Sequence, residues 1–202
     1  MIFSHIFRNY NSMGNNMKKN LILFITILVL SGSASTSLAG ESFLSWLFSL
    51  DRQNEVVPVT DEIYIEECGA CHFPYQPGLL PERSWRKLSN ADALENHFGE
   101  NAELDEETRL YIFNVLSTNS ADKSLHKRSK KIMVSLADNE APLRITNVPY
   151  IRRKHHEVYE KVVKKSNEVK SLSFCDKCHR KAAEGIYDDD TVIIPGYGKW
   201  TR

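Results

Sequence analysis

All four cysteines of this sequence fall in two copies of one pattern, Cys68-Gly69-Ala70-Cys71-His72 and Cys175-Asp176-Lys177-Cys178-His179. C-x-x-C-H is the attachment signature of a c-type haem. Two thiols three positions apart reach the two vinyl groups on one edge of a porphyrin. The next residue then sets an imidazole under the iron as proximal ligand. The apolar mass of the chain is modest, so two covalently bound haem c groups are expected to supply much of the core themselves.

Three other uses of paired cysteines fit less well. A disulfide framework would be sparse at four cysteines in 202 residues and has no use for the trailing histidines. A zinc ribbon brings its pairs roughly 15–20 residues apart, whereas 103 residues separate Cys71 from Cys175. A thioredoxin-type pair needs a βαβ context, and none surrounds either motif.

Residues 1–39 read as a secretory signal peptide. Lys18-Lys19 precedes an apolar run from Leu21 to Leu30, and Ser37-Leu38-Ala39 offers small residues at both cleavage positions. The run is about half the ~20 residues of a spanning helix, so cleavage after Ala39 is preferred to an uncleaved anchor and a periplasmic location is expected. Residues 1–16 are unusual for a leader, which leaves Met13 and Met17 as alternative starts.

Without the leader the chain has 23 basic and 26 acidic residues, unevenly placed. Residues 40–122 hold 5 basic and 16 acidic residues, residues 123–183 hold 16 and 6. Opposed halves give a dipole that can orient a charged redox partner. No nucleic-acid-binding motif accompanies the basic half.

The expected fold is mainly α. A lead-in segment spans 40–57, whose apolar cluster Phe43-Leu44-Trp46-Leu47-Phe48-Leu50 either packs on the following domain, the preferred reading, or meets a membrane surface or partner. An N-terminal haem c domain spans 58–121. Its first helix starts at Pro58–Asp61 and runs into the first motif; Pro74, Pro77, Gly78 and Pro81 form a loop beside the haem. Helices are expected at 84–88, at 91–98 with Gly99 as the stop, and from Asp105 to about Asn119. Residues 122–141 read as a basic, weakly ordered linker. A C-terminal haem c domain, irregular apart from one principal helix over about 150–164, spans 142–202.

The sixth position of each iron decides the redox chemistry, since methionine raises a haem potential and a second histidine leaves it low. Met133 is the one methionine outside the leader region, so at most one haem can be His/Met. Of the non-motif histidines, His97 is placed by its spacing on an apolar face with Ala93, Leu94 and Phe98. His155 shares a stripe with Ile151, Val158, Tyr159 and Val162, and His156 points toward Arg152 and Arg153. The expected iron ligands are thus His72, His179, His97 and His155. His156 competes with His155, Met133 is a more distant candidate, and His126 is expected to be exposed.

From Tyr64 to Gly196 the sequence resembles the dihaem cytochrome c family of bacterial periplasmic electron carriers. The matching stretches run from Glu67 through Cys-Gly-Ala-Cys-His72 to Pro81, Asn96-His-Phe-Gly-Glu-Asn-Ala102, Ala141-Pro-Leu-Arg-Ile-Thr146, Arg153-Lys-His155 and Ile194-Pro-Gly196. The resemblance implies an N-terminal domain like class I cytochromes c, with His in place of the usual Met, and a second, less regular haem domain. It implies two low-potential bis-His haems. It also implies electron donation to a small oxygen-binding monohaem cytochrome, fed from a membrane b-type cytochrome. The family's Arg-Lys-His pattern favours His155 over its neighbour.

An electron carrier is therefore expected rather than an enzyme. A peroxidase-like haem enzyme or a gas-binding sensor needs one open iron, and two well-placed histidines are available to close both.

Overall fold

Short helices, three of them started by a side-chain cap, make up most of the regular structure. The computed structural model describes residues 54–166 and 168–200; the leader and nearly all of the lead-in segment lie outside them. Helix α1 (Glu62–Gly69) begins where the Asp61 carboxylate accepts a hydrogen bond from the Tyr64 amide. Asn90 caps α3 (Ala91–Glu95) and Asp105 caps α4 (Glu106–Thr118) in the same manner. Acidic residues in the first turn of each complement the helix dipole. Between α1 and α3 lie a 3₁₀ turn at Pro77–Leu79 and α2 (Glu82–Leu88). Then come α5 (Lys127–Val134), α6 (Pro149–Lys161), and α7 (Cys175–Cys178). Strands β1 (Ile193–Ile194) and β2 (Gly198–Lys199) close a small antiparallel hairpin, with Ile193 opposite Lys199. The fold is mainly α, and among the described residues no helix is long and apolar enough to cross a membrane.

The described residues all belong to one compact unit, and its main apolar cluster draws on both halves of the chain. Val56, Tyr64, Leu79, Leu80, Ile112 and Leu116 pack in the same cluster as Ile132, Ile145, Tyr150, Ile151, Ala182 and Tyr187. A smaller cluster of Val162, Val192 and Ile194 lies under the C-terminal hairpin, with Val158, Cys178 and Trp200 against it.

Three local expectations change. The stretch read as a weakly ordered linker contains α5, whose Arg128, Ser129 and Ile132 are buried while Lys127, Lys130 and Lys131 face out. Its lysine content hid an inward stripe of only three positions. The helix over 91–98 ends at Glu95, because Asn96 leaves helical geometry and Phe98 takes a positive φ of 59°. The end of the lead-in belongs to the fold: Val56 is fully buried, and the amides of Glu55 and Val56 donate to the Gly185 carbonyl at 2.8 and 3.2 Å. Gly185 sits at φ +71°, and a Cβ there would lie 2.4 Å from the Val56 carbonyl oxygen, so only glycine allows this approach.

Candidate haem-binding sites

At the first motif α1 delivers Cys68 from its last turn, half-buried, and Cys71 and His72 follow in the turn beyond it. The Nδ1–H of His72 donates to the Phe73 carbonyl at 2.8 Å. That bond leaves Nε2 with its lone pair, the arrangement a metal-bound histidine needs. Across from it stands His97, with ring centroids 6.4 Å apart and planes tilted by 22°. His97 is held in a tight loop and not on the helix face expected from its spacing. Its amide donates to the Glu100 carbonyl at 2.7 Å, the Glu100 amide returns a bond at 3.3 Å, and the Asn96 side chain accepts from Gly99. The Arg144 guanidinium lies 3.9 Å from the centre of the adjacent Phe98 ring.

At the second motif the short α7 carries both cysteines, and His179 follows its last residue. His155, on α6, faces His179 with centroids 5.9 Å apart and planes at 68°. Its Nδ1–H donates to the Ile151 carbonyl one turn back, at 2.9 Å. A cavity between them has apolar walls that include Leu79, Ile151, Val158, Val192 and Ile194. His156 is exposed on the neighbouring face, in a shallow groove with Pro149, Arg152, Arg153 and Glu157. Tyr159, assigned by periodicity to the His155 stripe, is exposed as well. His126 is half-buried and its Nδ1–H donates to the Asn54 carbonyl at 2.6 Å; Met133 packs partly buried against the main cluster.

Burial pulls the His179 imidazole down to about 4, with His155 and Arg128 adding to it, and it lowers His155 and His97 as well. All three are thereby held in the neutral, metal-binding form at pH 7. The thiols shift the other way: burial pushes Cys68 up to about 11 and Cys175 up to about 12, and raises Cys178. None of the four is in a disulfide.

The residues present fit a haem at each motif. Two imidazoles bound to opposite sides of one metal, each through a bond of about 2 Å, place their ring centres about 6 Å apart, as both pairs do. Among the described residues no group of three or more His, Cys, Asp or Glu side chains could hold a metal ion unaided. A porphyrin, which the adjacent thiols can anchor, would supply the remaining coordination positions.

These features are those of a family. The sequence profile of dihaem cytochrome c matches residues 64–187, and the chain belongs to that family. It is similar to the diheme cytochrome c sb-DHC of Shewanella baltica OS155, at 36% identity over 69% of this chain and 97% of that one, with a TM-score of 0.56. It is also similar to two structures from Rhodobacter sphaeroides. The diheme cytochrome c is 40% identical over 65% of this chain and all of that one, with a TM-score of 0.57. Purified DHC is 37% identical over the same shares, with a TM-score of 0.51. No curated protein matches. The chain is thus a haem-binding cytochrome with two covalently bound haem c groups, attached at Cys68/Cys71 and Cys175/Cys178.

Two neighbourhoods make contacts that were not legible in the sequence. Arg128 is buried beside the second site, its Nη2 against the Glu55 carboxylate and 3.0 Å from the Tyr187 carbonyl, its Nη1 3.2 Å from the Tyr150 hydroxyl. The Tyr187 ring stands 5.2 Å from that of His179. Nearer the first site, Tyr75 packs on His72 and Gln76 is almost wholly buried. Long-range pairings of this kind leave no periodic trace.

Proposed function

We propose that this protein is an electron carrier in which both irons are six-coordinate and low-spin, with His72 and His97 on one and His155 and His179 on the other. The observation that carries the reading is the pairing of each motif imidazole with a second imidazole at 6.4 and 5.9 Å. When bound, each haem supplies a one-electron iron couple, and bis-His ligation keeps its potential low. The chain's own part is to close both axial positions, wall the second ring with apolar side chains and fix the tautomers of His72 and His155 through backbone carbonyls.

The leader-like residues 1–39 support export to the periplasm with cleavage after Ala39, which a mature N-terminus at Gly40 would verify. The opposed charge of the two halves supports docking to charged redox proteins. The family resemblance supports a small oxygen-binding monohaem cytochrome as acceptor and a membrane b-type cytochrome as donor.

Absorption spectra of the oxidised and reduced protein, with and without carbon monoxide, test the reading. Two low-spin haems that ignore carbon monoxide support it. A carbon monoxide complex in the native protein would reveal an open iron and favour a haem enzyme or gas sensor. A Met–iron charge-transfer band would place Met133 on one iron.

A further inference from the structure

Two successive residues just beyond the first motif reach across to both sides of the second. The Tyr75 hydroxyl donates to the Ser173 carbonyl at 2.8 Å, two residues before Cys175. The Gln76 side-chain amide donates to the carbonyls of Ala182 and Ala183 at 3.0 and 3.1 Å, just after His179. The two contacts differ in what they join. Gln76 joins backbone to backbone, since its Oε1 accepts the Val59 amide at 2.5 Å while its amide group donates to Ala182 and Ala183. Tyr75 lies with its ring centroid 5.0 Å from that of His72. The Ser173 carbonyl that accepts its hydroxyl also accepts the Cys175 amide, at 3.0 Å.

We propose that Tyr75 is the residue that couples the two haem sites electronically, as a positioning residue for one-electron exchange between them. The connection runs from the His72 ring across one van der Waals contact to the Tyr75 ring. It continues through O–H···O=C to Ser173 and through a second hydrogen bond to the residue whose thiol anchors the other haem. Hydrogen-bonded and covalent links transmit electronic coupling better than gaps between unbonded atoms, and this route contains one gap. In the exchange one iron is oxidised and the other reduced by the same electron, and no proton or third reactant takes part. The Tyr75 hydroxyl serves only as the donor to the Ser173 carbonyl. The inference rests on the electron-carrier reading above and deepens it.

The test compares wild type, Y75F and Q76L as haem-loaded proteins. After flash reduction of a fraction of the haem, the rate at which the electron redistributes between sites is followed optically, alongside both midpoint potentials and thermal stability. Y75F keeps the ring and loses only the hydroxyl. It is expected to slow redistribution several-fold with both irons low-spin and both potentials close to wild type. Q76L is expected to lower stability and leave the rate near wild type. If Y75F redistributes as fast as wild type, the coupling runs elsewhere and the proposal fails. If Q76L slows the rate as much as Y75F, both residues act only by holding the halves together, and the proposal fails equally. Absence of redistribution in wild type itself would overturn the electron-carrier reading.

Discussion

The imidazole planes of His155 and His179 cross at 68°, whereas those of His72 and His97 are within 22° of parallel. Near-parallel ligand planes split the iron d orbitals that mix with imidazole π orbitals, and crossed planes leave them close to degenerate. The frozen oxidised protein should therefore give two different low-spin electron paramagnetic resonance signals, one rhombic and one with a much larger maximal g value. A single rhombic signal integrating to two irons would contradict the crossed geometry.

Adjacent residues on a helix point about 100° apart, and only His155 of the 155–156 pair faces the motif histidine. Replacing His155 by Ala should make one of the two haems high-spin when oxidised and able to bind carbon monoxide when reduced. Replacing His97 by Ala should do the same to the other haem. His156→Ala should leave both low-spin, since that side chain is exposed. Carbon monoxide difference spectra, scaled to total haem, read all three.

Glu55 faces the buried Arg128 guanidinium, with 20% and 10% of the two side chains exposed, and its Oε2 also accepts the Tyr187 amide at 3.0 Å. Glu55→Gln leaves a buried cation without its counter-charge. A stability loss of about 3 kcal/mol is expected, the lower end for a broken buried pair because Glu55 is not fully enclosed. The uncompensated charge beside His179 also disfavours the oxidised iron, so the potential of the second haem should rise while the first stays put. Denaturant titration and a potentiometric titration check the two halves of this prediction.

Gly185→Ala should cost about 1–3 kcal/mol through its left-handed backbone alone. Its Cβ would also meet the Val56 carbonyl oxygen at 2.4 Å, so that segment must move away. Chemical denaturation measures the loss. Stability within a few tenths of a kcal/mol of wild type would mean that the approach of residues 55–56 to 185 is not as described.

What the sequence revealed and what it hid follow a physical pattern. The four thioether cysteines, the two motif histidines and the helices at 62–69, 106–118 and 149–161 announce themselves through short-range spacing, caps and periodicity. His155 was reachable because its helix is long enough to set a phase. His97 was singled out through a phase that does not hold, since the chain leaves the helix at Asn96 and presents the imidazole from a loop. Arg128 was hidden in a lysine-rich stretch where charge masks an inward face. The contacts of Tyr75 and Gln76 with the second motif were illegible because those partners lie 98 to 107 residues away, a separation no local rule spans.

The single shared core bears on how such a chain matures. Thioether bonds form from thiols that a ligation apparatus can reach, and reactivity follows the thiolate. Before attachment, burial pushes the Cys175 thiol up to about 12, and the Ser173 carbonyl that accepts the Cys175 amide also accepts the Tyr75 hydroxyl. Cys175 packs against the core that holds Val56 through Tyr187, so haem attachment at the second motif and closure of that core are expected to be coupled. A chain with both second-motif cysteines replaced should close less stably around residue 56.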